Sequence, residues 1–168
     1  MDEPALRRIF YQNSKKYHPD FHTLADEKKQ AEMLELSTLN NEAYQTLSDP
    51  DRRMRYILGI NGLLTAGEED KHTVPRDFLM QMMDINESLM ELEFDFDPER
   101  YAAALGAAEA LENDLYEGIR PILESYPNSP NPEADLRAVL EYFLKKRYLL
   151  RIRENLSTFA PRAGMAEW

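Results

Sequence analysis

The sequence predicts an all-α protein: an N-terminal helical hairpin unit followed by a C-terminal antiparallel three-helix bundle. Three observations predict it. Apolar residues recur at spacings of three and four along most of the 168 residues. No segment shows sustained strand alternation bounded by turns. Prolines and short polar side chains fall where such helices should start and stop.

The first helix opens with Asp2, Glu3 and Pro4, carries Leu6, Ile9, Phe10 and Tyr17, and ends at Pro19. After a polar loop, a second helix begins near Asp26 and runs to about Leu47, with Leu36, Leu39, Ala43 and Leu47 as its expected buried face. Ser48 and Asp49 offer capping oxygens ahead of Pro50, the start of a short third helix ending near Leu58. Residues 59–74, with only Leu63 and Leu64 as an apolar pair, read as a connection. The next helix covers 75–92. Asp97-Pro98 then opens a middle helix bearing Tyr101, Leu105, Ala108, Leu111, Leu115 and Ile119, which Pro121 should kink or end. Three prolines keep 126–132 from being helical, and the last helix spans about 133–157. The expected divisions are therefore 1–58, a linker 59–74, a bundle 75–158, and a tail 159–168 with no assignable role.

Composition narrows the function. A net charge of −11 and a pI near 4.8 repel phosphate backbones and anionic lipid, so neither nucleic acid nor a membrane surface is an expected partner. With no cysteine there are no disulfides, thiolate nucleophiles or thiolate metal ligands. No apolar run is long enough to cross a bilayer, and Met1-Asp2-Glu3-Pro4 lacks the basic-then-apolar order of a signal peptide, so the expected compartment is the cytoplasm.

His18-Pro19-Asp20 comes directly after a helix carrying Arg7, Arg8, Lys15 and Lys16. Proline stiffens the turn, while the imidazole and carboxylate can meet hydrogen-bonding groups on a partner. Residues 1–17 hold four basic against two acidic side chains, a polarity suited to an acidic surface. Taken alone, the tripeptide is better explained by a helix-breaking proline with Asp20 helping to cap the next turn of chain. Its context is more specific. Lys16-Tyr17-His18-Pro19-Asp20, the stretch from Asn41 to Pro50 (NEAYQTLSDP), and then Arg53 and Tyr56 resemble a J domain of the DnaJ superfamily. The resemblance implies that His18, Pro19 and Asp20 engage a DnaK- or HscA-type chaperone and stimulate its ATP hydrolysis. Arg7 falls at a basic contact of the family, and Arg8, Lys15 and Lys16 add charge. The short first helix usual in J domains is missing, Tyr11 and Gln12 stand where positive charge is common, and Phe21 stands where lysine is frequent.

The helix over 75–92 has two apolar faces. At about 100° per residue, Phe78, Met82, Ile85, Leu89 and Leu92 make one stripe. Leu79, Met80, Met83 and Met90 lie nearly opposite, flanked by Asp84 and Glu87. Pattern alone leaves two explanations open: a partner-binding face, or a face covered by the N-terminal unit or linker. Tyr56-Ile57-Leu58, His72-Thr73-Val74 and Phe78-Leu79-Met80 are similar to the HscB family of J-type co-chaperones in iron–sulfur cluster assembly. That similarity implies a bundle binding an IscU-type scaffold through Leu79, Met80, Met83, Asp84, Glu87 and Tyr148. The family more often has leucine at Met83, glutamate at Asp84 and phenylalanine at Tyr148. It also implies a monomer.

His18 and His22, four apart with Asp20 between them, loosely match metal-ligand spacing, but Pro19 breaks the helical alignment and no third strong ligand is near. No nucleophile elbow or glycine-rich phosphate loop occurs. The expectation is a non-enzymatic adaptor without metal or cofactor. The alternatives are a J-domain adaptor for an unrelated client, or a small helical metal-dependent hydrolase using His18, Asp20 and His22.

Overall fold

A computed structural model describes residues 1–64 and 73–165. Much of the expected linker, including His72, thus lies outside the described residues. Among those described, every regular element is helical: α1 (Glu3–Tyr17), α2 (Glu27–Ser48), α3 (Pro50–Ile60), α4 (Arg76–Gln81), α5 (Met83–Phe94), α6 (Pro98–Ser125), α7 (Pro132–Ser157) and α8 (Ala160–Met165). Single 3-10 turns cover Pro19–His22 and Tyr126–Asn128. The chain divides into two compact units, Met1–Ile60 and Asn61–Trp168.

Acidic or amide caps start most of the long helices. The Asp2, Asp26 and Asp97 carboxylates each accept a first-turn N–H, at 3.0 Å from Ala5, 2.8 Å from Lys29 and 2.9 Å from Glu99. Asp49 does the same for α3, accepting from Asp51 and Arg52, and the Asn131 amide oxygen accepts from Ala134 for α7. Each bond satisfies a donor that has no partner within the helix, and each cap is worth about 1 kcal/mol. Proline in the first turn of α1, α3, α6 and α7 forfeits only an N–H the helix does not use. Gly62, at φ 70°, takes the left-handed conformation just beyond α3.

In the N-terminal unit α1 and α2 pair antiparallel. Phe10 stacks on Tyr44 at 4.2 Å, and the Asn40 amide donates to the Phe10 carbonyl and to Ser14 Oγ, both at 3.2 Å. The inward row of α2 is therefore Met33, Leu36, Asn40, Tyr44 and Leu47. Leu39 and Ala43, expected inside from their hydrophobicity, are exposed. An inward asparagine is stable because its amide finds two acceptors across the helix pair.

The C-terminal unit is an up-down-up bundle. Phe78, Met82, Ile85, Leu89 and Leu92 pack with Ala104 and Ala108 of α6 and with Leu149, Ile152 and Leu156 of α7 in one core. Arg153 of α7 pairs with Glu112 and Glu109 of α6. Pro121 does not end α6, which continues to Ser125. The proline is exposed, so the Glu117 carbonyl it frees can bond to water. Nor is the tail without structure throughout: Phe159 is buried, stacks on Phe96 at 6.4 Å and joins the core, with Arg162 over its ring at 5.8 Å. Phe159→Ala should cost about 3–5 kcal/mol in urea unfolding of the intact chain, the usual loss for a buried phenylalanine.

Candidate functional site

The N-terminal candidate is the turn between α1 and α2. Pro19 fixes φ at the first position of the 3-10 turn, and the Phe21 N–H donates to the His18 carbonyl at 3.1 Å. The Asp20 N–H donates to His18 Nδ1 at 3.2 Å. That bond assigns the neutral ring's proton to Nε2, making the outer edge of the imidazole a donor. The His22 ring, through Nε2–H, donates to the Lys16 carbonyl at 2.8 Å and ties the turn back onto the end of α1. His22 thus spends that nitrogen on the backbone rather than on a ligand. Among the described residues no three His, Asp or Glu side chains converge on a point where a metal could sit.

The His18 and Asp20 side chains are 51% and 83% exposed, with His18 Nδ1 3.7 Å from the Asp20 carboxylate. Donor and acceptor therefore stand side by side in solvent on a short turn held at both ends. Phe21 meets the imidazole edge-on at 5.9 Å.

The four basic residues of α1 are all exposed but do not form one row. At about 100° per residue, Arg8 and Lys15 share a face, while Arg7 and Lys16 flank it on opposite sides. Lys15 and Lys16 sit in the last turn, where they complement the helix dipole and adjoin the His18 turn. Lys16 also lies over the Tyr17 ring at 5.0 Å. Arg7 and Arg8 border a groove of about 580 Å³ with Pro4, Leu6, Tyr11 and Tyr44. A hydrogen bond to the Tyr44 hydroxyl raises the Arg7 pKa further above its ordinary value, so this cation stays charged throughout.

The second candidate lies on α4 and α5. Burial of the Phe78-to-Leu92 row turns Leu79, Met80, Met83, Asp84 and Glu87 outward, with Met80 and Met83 62% and 64% exposed. Met82 is the joint between the two helices: its N–H donates to the Phe78 carbonyl, closing α4, and its own carbonyl accepts from the Asn86 N–H, opening α5. Tyr148 of α7 is half-buried beside this face, edge-on to Phe78 at 5.9 Å, its hydroxyl accepting from the Asn86 amide at 3.2 Å. The Asn86–Tyr148 bond joins residues 62 apart and has no local signal in the sequence. Among the described residues no helix is long and apolar enough to cross a membrane.

Residues 1–56 match the family model described as the DnaJ domain, and residues 74–157, half the chain, match the HSCB C-terminal oligomerisation domain. The chain belongs to the HscB family of J-domain co-chaperones. A co-chaperone protein HscB homolog from Vibrio vulnificus is 33% identical over 116 residues, covering 69% of this chain and 66% of that protein. The match thus spans just under two thirds of that relative's length. One from Paraburkholderia phymatum is 30% identical over 134 residues, covering 80% and 76%. The solved structure of the chaperone HscB from Vibrio cholerae shares the fold with a TM-score of 0.73 at 22% identity, covering 96% of this chain and 91% of that one.

His22→Ala removes the tie between the turn and α1. Amide exchange over residues 20–25 should accelerate about fivefold, the worth of one net hydrogen bond of about 1 kcal/mol, while exchange in α6 and α7 stays unchanged.

Proposed function

We propose that this HscB-family chain is an adaptor: it stimulates the ATPase of a DnaK- or HscA-type chaperone through its N-terminal unit and delivers an IscU-type iron–sulfur scaffold through its C-terminal unit. The observation that supports it is the pairing, on separate units, of a stiff solvent-facing His18/Asp20 turn with an apolar helix face that the packing of its own bundle leaves exposed. In this reading residues 1–58 are the J unit and 75–158 the scaffold-binding bundle, joined by 59–74.

The chemistry is recognition rather than bond-making. His18 presents a donor and Asp20 an acceptor, and Pro19 fixes their separation so that little conformational entropy is lost on contact. Arg7, Arg8, Lys15 and Lys16 steer this end of an otherwise acidic protein toward negative surface on the chaperone. Because they spread over about half the circumference of α1 instead of forming one row, they guide the approach more than they fix the final pose. On the other unit Leu79, Met80 and Met83 supply adaptable apolar contact, Asp84 and Glu87 set a charged edge, and Tyr148 adds an aromatic surface held in place by Asn86. Holding chaperone and scaffold on one chain raises their effective concentration and couples ATP turnover to client capture. The adaptor works as a cytoplasmic monomer and carries out no catalysis of its own.

Steady-state ATPase of the chaperone, with and without scaffold, tests the assignment. His18→Gln should abolish stimulation and leave scaffold affinity intact. Leu79, Met80 and Met83 replaced together by serine should weaken scaffold binding at least a hundredfold, about 3 kcal/mol, and spare scaffold-independent stimulation. Stimulation by the His18 variant equal to wild type would sink the chaperone assignment. A chain that stimulates but binds no scaffold at micromolar concentration serves an unrelated client.

A further inference from the structure

We propose that the client-docking surface continues beyond Glu87 along α5 to Met90 and Phe94, so that one partner is gripped along nearly the whole length of α4 and α5. This extension rests on the adaptor reading above.

Helical pitch sets the geometry. At about 100° per residue, Leu79, Met80, Met83, Glu87, Met90 and Phe94 fall within a sector about 100° wide, centred about 150° from the buried row. Phe78 and Met82 are buried in the same core as Ile85, Leu89 and Leu92, so the outward faces of α4 and α5 lie on the same side across the junction. Met90 is 63% exposed and Phe94 90% exposed, the latter in the last position of α5. Two residues on, Phe96 turns the other way and stacks on Phe159, so the outward aim of Phe94 is not a general failure of packing at this helix end. Single exposed apolar side chains are ordinary. Leu79, Met80 and Met83 at one end and Met90 and Phe94 at the other share this sector with Glu87 between them, an exposed strip about 21 Å long from Met80 to Phe94 that a single partner can span.

Size and charge point to the same occupant. A stable protein interface takes about 20–30 residues a side, far more than the six the family resemblance supplies. Its natural growth is along the strip. Among the described residues no lysine or arginine pairs with Asp84 or Glu87, whereas Glu91, beside them, is engaged by Arg100 at 3.0 Å. These two carboxylates, Glu87 within the strip and Asp84 beside it, call for a partner whose apolar surface carries basic side chains. That partner is the scaffold protein already assigned to the upper half of the surface.

The test is titration calorimetry of the full-length chain with an IscU-type scaffold. Phe94→Ser should raise Kd about tenfold and Met90→Ser several-fold, the loss of part of a buried apolar side chain. The melting temperature should stay at the wild-type value, since Phe94 contributes nothing to the core. Glu87→Lys should weaken binding, and added salt should weaken the wild-type complex. If Phe94→Ser binds as wild type while the Leu79, Met80 and Met83 replacement loses binding, the extension is wrong and the adaptor reading stands. If wild type does not bind the scaffold at all, both fall. Because the matching family model is described as an oligomerisation domain, sedimentation equilibrium supplies the last arm. A wild-type dimer that Phe94→Ser dissociates would make the strip a contact between two copies and overturn the scaffold assignment.

Discussion

Burial of Phe78, Met82, Ile85, Leu89 and Leu92 is the constraint on which the C-terminal unit depends. Each such side chain contributes about 1.5–3 kcal/mol when removed from water, so the row as a whole outweighs any surface preference on the same helix. A helix has one rotational degree of freedom about its axis, and this row consumes it. Leu79, Met80 and Met83 are then turned outward whatever their own hydrophobicity. Their exposure is enforced by a stronger burial elsewhere on the same helix, and a partner can offset it without unfolding anything.

The N-terminal unit meets a different constraint. Sixty residues bury little surface: Met33, Met54 and Leu58 are buried there, and of these only Leu58 fully. Specific polar contacts do more of the ordering: Asn40 across the hairpin, and Arg53 donating to the Leu47 carbonyl at 2.9 Å between α3 and the end of α2. The His18 turn is ordered in the same way, by a proline, a 3-10 hydrogen bond and His22. The His18 ring accepts the Asp20 N–H within the turn, and both side chains keep more than half their surface in water.

Family membership and geometry bear on different parts of the function. The matches to the DnaJ and HSCB C-terminal models say what kind of protein this is. The side chains say how it could act: one unit offers a polar pair with basic surroundings, the other an apolar strip carrying acidic side chains. Such opposite chemistries suit two different partners. A molecule complementary to one would be poorly matched to the other, so two such molecules would not compete for one surface.

The amino-acid sequence by itself determined what is local. Asp and Asn before proline set the starts of α3, α6 and α7, prolines kept 126–131 out of α-helix while Pro132 opened α7, and the 3.6-residue period marked the row from Phe78 to Leu92 as buried. The His18-Pro19-Asp20 turn was legible for the same reason, since proline acts on its immediate neighbours. Tertiary structure decided what depends on residues far apart in the chain. It brought Asn40 inward in preference to Leu39, carried α6 through Pro121 on an exposed side, folded Phe159 back onto Phe96, and set Tyr148 against Asn86. A periodic pattern shows that a face is apolar, but whether another segment covers that face depends on where distant helices come to rest.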